Sequence, residues 1–162
     1  MRLYCLLAGL LATVPLAGQS GAKRKSGLPD PPKKDVPYII HADNLVETES
    51  SEAKEETRKD DQLYAVAGAA SPVRTPLAGP EFLFESEKIL PDKLQLFKME
   101  AKNGRREVVV TRKKKPVAKP VVLSVFRLRP RIFRIRVDNS LESGQYCLSP
   151  DGSNTVFCFT VE

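Results

Sequence analysis

His41, with Asp43 two residues on, is the one pair in this sequence whose residue types suit general-base work. A base needs a nucleophile and an orienting group within hydrogen-bond reach. The chain has no Gly-x-Ser-x-Gly elbow, no Gly-rich phosphate loop and no second His to complete a metal set. No catalytic residue, metal or cofactor is therefore expected, and His41 reads as a structural or solvated side chain. The thiols suggest a cross-link instead. Cys5 falls in an apolar leader, which leaves Cys147 and Cys158 as an even pair. In an oxidising compartment such a pair is a disulfide candidate.

Charge distribution is the other feature with chemical content. Residues 102–136 hold thirteen Lys/Arg and one acid, Glu107, whereas residues 35–101 hold fourteen acids and seven bases. Such cations are almost never fully buried unless paired. They either point outward from strands and pair with the acidic segments, or form an anion-binding face. The candidates for that face are Arg105, Arg106, Arg112, Lys113, Lys114 and Lys115 around Asn103-Gly104, with Arg134 and Arg136 on one face of a neighbouring strand. A patch of this kind attracts anionic glycans or lipid head groups through long-range electrostatics. Nucleic acid is disfavoured, because few aromatic rings interleave with the cations, and Phe126 and Phe133 are assigned to the core.

These residues need a scaffold, and the chain announces its parts from the N-terminus. Met1 and Arg2 precede the apolar run Leu3 to Ala17, which small residues follow. This is the pattern of a signal peptide over residues 1–18. About 15 apolar residues fall short of the roughly 20 needed to span a bilayer. Export to the periplasm or the extracellular space is expected, although Lys23, Arg24 and Lys25 oppose translocation. Residues 19–35, rich in Pro and Lys, read as a flexible linker. Residues 36–162 are left as one domain, long enough for a single core.

Within that domain, short apolar bursts alternate with turn formers. Strands are expected around residues 37–40, 62–67, 81–85, 94–101, 107–111, 121–128, 132–137, 145–148 and 155–161. Asn103-Gly104 marks a hairpin, since both central residues of its turn need positive φ. Residues 45–61 stay open between a solvated helix, with Glu55 and Lys59 as an i,i+4 pair, and a hairpin or flexible loop. The last hairpin is the most constrained. If Cys147 faces Cys158, then Tyr146 faces Phe159 and Leu148 faces Phe157. The large apolar side chains then share one face and the sulfurs the other.

Leu141-Glu142-Ser143-Gly144-Gln145-Tyr146-Cys147 resembles the tyrosine corner of immunoglobulin-like sandwiches. The resemblance implies that the Tyr146 hydroxyl turns back to the backbone upstream. It also implies an immunoglobulin-like sandwich of about seven to nine short antiparallel strands. The sequence departs from the family: the Cys adjoins the Tyr, its partner lies on the next strand, and the core Trp is missing. The resulting expectation is an exported, non-catalytic binding or assembly module of the cell envelope. Its partner would be an envelope protein or an anionic glycan or lipid surface.

Overall fold

A computed structural model describes residues 27–162. The signal peptide assigned to residues 1–18, and residues 19–26 of the linker, lie outside the described residues. The domain is all-β, built from two sheets. One sheet runs β11 (Leu123–Arg129), β12 (Ile132–Val137), β7 (Glu81–Glu85), β1 (Tyr38–His41), β2 (Asn44–Glu47). The other runs β3 (Glu49–Glu52), β14 (Thr155–Val161), β13 (Gly144–Pro150), β8 (Leu94–Lys102), β9 (Arg105–Arg112), β5 (Asp61–Ala67), β4 (Lys54–Arg58). Two-residue strands β6 (Arg74–Thr75) and β10 (Lys115–Pro116) pair with β14 and β9.

The expected sandwich is present, and its core lies between the sheets. Ile39, Phe82, Phe84 and Ile135 of the first sheet meet Leu96, Tyr146, Leu148, Phe157 and Phe159 of the second. The Phe82 ring stands edge-on to Phe159, their centroids 5.3 Å apart. The tyrosine corner forms as well: the Tyr146 hydroxyl donates to the Glu142 carbonyl at 2.9 Å.

A second core lies on the far side of β13 and β14, because the larger sheet folds over on itself. Its two ends, β3 and β4, are consecutive in the chain with only Ala53 between them. The Ala53 N–H donates to the Asn154 carbonyl at 2.7 Å, which carries the β14 pairing around that corner. β8 turns the other corner, pairing with β13 up to Met99 and with β9 from Glu100. Inside the fold lie Ala53, Val66, Met99, Val156 and the disulfide of Cys147 and Cys158. β13 and β14 are thus covered on both faces. This explains why Tyr146, Cys147 and Leu148 are all buried, as are Val156 through Phe159, despite alternating sides.

The register of the last hairpin is the expected one, with Cys147 opposite Cys158, Tyr146 opposite Phe159 and Leu148 opposite Phe157. The cysteine Cα atoms are 4.0 Å apart, closer than the ~4.5 Å of an ordinary non-hydrogen-bonded pair. The Asn103-Gly104 turn also forms, with φ of 53° and 74° at its two residues.

Three expectations are corrected. The described residues form fourteen strands instead of seven to nine, because polar segments without alternation also pair. Of the readings left open for residues 45–61, the helix is absent: they form strands β2, β3 and β4, with β4 in a hairpin with β5, and Glu55 and Lys59 are not an i,i+4 pair. The packed domain also begins before Val36. Pro31 is buried, and the Asp35 carboxylate accepts the backbone N–H groups of Glu87, Lys88 and Ile89 at 2.8–3.0 Å. A stretch rich in Pro and Lys is held by such anchors without an apolar signature of its own.

Candidate functional site

The basic segment separates into cations spent on the fold and cations left outside it. Arg106 belongs to the fold. It is 1% exposed and lies opposite Val66, on the inner face of the folded-over sheet. Its guanidinium donates to both Glu49 oxygens at 2.7 and 2.9 Å, and to the Gly68 and Ala67 carbonyls. Five hydrogen-bond donors are the whole capacity of a guanidinium, and these four bonds occupy its buried face. Arg106 is thus corrected from surface anion-binder to internal brace. Burial works against the Glu49 charge, but the Arg106 fork and the Ser71 hydroxyl outweigh it and hold the carboxyl below its ordinary value.

Arg105 sits on the opposite face of β9, in a smaller network. It makes a two-pronged bond to Glu56 at 2.6 and 2.9 Å and a third to Glu107 at 3.2 Å. Glu107, the lone acid of the basic segment, is buried and also receives both terminal nitrogens of Arg58. The Arg58 hydrogen bonds, opposed by burial, hold its carboxyl below the usual carboxylate range. The network stitches β4 to β9 across β5. Sequence reading missed Arg58 and Glu56 as partners, although a single acid among thirteen bases was a signal that something would gather around it.

The remaining candidates lie outside. Arg112 is 3.5 Å from Asp61. Arg134 is 3.6 Å from Glu81, and its Nε is buried with no partner among the described residues. Arg136 stacks over the Phe126 ring at 5.2 Å and is 3.9 Å from Asp138. Lys113, Lys114 and Lys115 make no ion pair among the described residues, and all three are exposed. Lys113 and Lys114 form the two-residue β9–β10 turn with φ of 47° and 62°, a conformation that favours Asn and Gly over Lys. The Lys113 N–H donates to the Asp60 carbonyl, which brings Lys59 of the neighbouring turn alongside. The structure therefore does not gather the eight candidates into one face. Arg134 and Arg136 lie on the five-stranded sheet, and the lysines cap a hairpin of the other.

β11 shows what the sequence hid. It is the edge strand of its sheet, with β12 on one side and no strand on the other among the described residues. Its inner residues Leu123 and Val125 pack on the core, Phe126 lies on the outer face beside Arg134 and Arg136, and Arg127 through Arg129 are exposed. Phe126 is therefore corrected from core to surface, at 43% exposure, while Phe133 is half-buried. Phe126 and Leu128 thus stand in water beside Arg127, Arg129 and Arg136.

His41 is exposed at the end of β1, opposite Asn44 across a tight turn that contains Asp43. Among the described residues no group of His, Cys, Asp or Glu could hold a metal ion, and no helix is long and apolar enough to cross a membrane. The fold and the site define an all-β sandwich with one internal disulfide and an exposed basic edge. No protein-family model, curated protein or solved structure matches the chain.

Proposed function

We propose that this protein is an exported, non-catalytic binding module of the cell envelope that takes an extended acidic segment of a partner protein along β11. The observation that carries the reading is the open edge of β11. An unpaired edge presents a row of backbone donors and acceptors that an incoming strand can satisfy. Natural edges are blunted by charge or by brevity, yet this one displays Phe126 and Leu128 as well as cations. The apolar side chains supply contact area, and Arg127 selects an acidic partner, while Arg129 is held 2.6 Å from Asp30. The internal disulfide supports an oxidising destination.

The test is a labelled octapeptide of alternating Glu and Val, titrated into the mature chain and read by fluorescence anisotropy. Saturable binding is expected, about tenfold weaker after Phe126→Ser with Leu128→Ser. A peptide of the same charge with Pro at alternate positions should not bind, because it cannot donate to a ladder. Equal binding of both peptides, or of neither, overturns the reading.

The lysine tip favours a second reading, an anionic-polymer or membrane-surface binder. Lysines held at positive φ are costly in backbone energy, of order 1 kcal/mol each, and three exposed charges there serve no ion pair among the described residues. Retention on heparin resin that falls steeply with salt, and is lost in Lys113→Ser/Lys114→Ser/Lys115→Ser, supports it. Unchanged retention in that variant removes it.

A further inference from the structure

The folded-over sheet forms a pocket of about 270 Å³ between its two halves, partly open to solvent. Its lining is mixed, with an apolar part from Tyr64 and Val66 of β5, Phe97 and Met99 of β8, Val108 and Val110 of β9, and Val156 of β14. The Arg106–Glu49 pair spans from β9 to β3 beside Val66 and Cys158 on the same inner face. The pocket reaches the β13–β14 turn. There Gln95, Ser149, Ser153 and Asn154 surround the mouth with neutral polar groups, and Asp151 adds the one charge among the lining residues.

This arrangement has the form of a small-molecule site: a concave pocket with an apolar part and several polar groups at the turn. Apolar cavities of about 150 Å³ already take benzene, so this one admits a larger body. The mouth defines the other end of the ligand. It offers hydrogen bonds from amides and hydroxyls and carries a carboxylate, but no lining cation is present to receive an acid head group. We infer that the cavity binds a small apolar molecule with a neutral or cationic polar head, inserted body first past the β13–β14 turn. The site is separate from β11, which lies on the other sheet.

Two fluorescent probes share one ring system and differ in charge. N-phenyl-1-naphthylamine is neutral, and its 8-sulfonate is an anion. The mature, disulfide-bonded chain should bind the neutral probe with enhanced, blue-shifted emission and bind the sulfonate at least about tenfold more weakly. Val110→Trp and, separately, Val108→Phe fill the cavity and should abolish the enhancement, with circular dichroism and the intact disulfide as checks on folding. Asp151→Lys, on an exposed turn, should narrow the gap between the probes by favouring the sulfonate. An open groove lies on the other side of the same turn, where Leu90 is exposed to an incoming ring and the buried Phe157 is part of the lining. Loss of binding on Leu90→Ser, with binding retained in both cavity-filling variants, would put the probe in that groove and overturn the proposal. Equal affinity for the two probes would overturn it too, as would failure of the neutral probe to bind.

Discussion

Arg106 is a cation held away from water, and the bonds around it decide what its loss would do. A buried pair is a weak source of net stability, but removing one partner leaves an uncompensated charge. Arg106→Ala should therefore lower the unfolding free energy by about 3 kcal/mol, measured by denaturant titration. Pairing it with Glu49→Leu should recover much of that loss, since the second change removes the stranded carboxylate. If the double variant is no better than the single one, the pair is not what braces β3 against β9. Tyr146 makes a smaller contribution. Its phenol is otherwise packed against Phe159, with ring centroids 5.8 Å apart, so Tyr146→Phe removes only the bond to Glu142. A loss of about 1 kcal/mol is expected. A neutral substitution would mean that the corner holds without its hydroxyl.

At the scale of elements, the β13–β14 hairpin joins the two cores. Its outer face feeds the sandwich and its inner face carries the disulfide into the folded-over sheet. The bridge closes a loop between residues 11 apart. The chain-entropy model puts its contribution near 3 kcal/mol. Cys147→Ala with Cys158→Ala should lose about that much, and reductant should do the same to the native chain, both read by thermal unfolding. The hairpin register was open to sequence reasoning, because aromatic pairing and sulfur pairing demanded the same alignment. Strands β2 to β4 were not legible in this way. Glu47, Glu49, Glu52, Glu55 and Glu56 offer no apolar alternation, and Arg106 and Arg105, the partners of Glu49 and Glu56, lie some fifty residues away. The edge position of β11 was hidden for a related reason, since strand order depends on distant partners; Phe126 itself is exposed because Val125 takes the inner face, which leaves Phe126 outside beside Arg134 and Arg136.

For the whole molecule, the depressed carboxyls set the pH response. Burial opposes ionisation of Asp35, but its three backbone N–H bonds prevail, and Glu49 and Glu107 are lowered as well. Each has a folded pKa below its unfolded value, so the unfolded chain binds more protons in acid. Their stabilisation is fully present above the unfolded carboxyl range, about pH 4 to 5, and is lost as pH falls through the folded values. The melting temperature should be flat from pH 8 to about 5 and then decline, with a shallower decline in Asp35→Asn. A melting temperature unchanged down to pH 3 would contradict this. Export carries its own check: the exported chain should have a new N-terminus near residue 18 and a non-reduced mass two hydrogens below the dithiol. Full-length material with free thiols would refute both. Taken alone, the sequence determined the all-β class, the Asn103-Gly104 turn and the Cys147–Cys158 register, because alternation, turn chemistry and neighbouring-strand pairing act over a few residues. Only the tertiary structure decided that the larger sheet folds at Ala53, that Arg106 points inward and that a cavity lies beside the disulfide. Those features depend on which distant strands meet, and charge pairing between distant segments leaves no periodicity in either one.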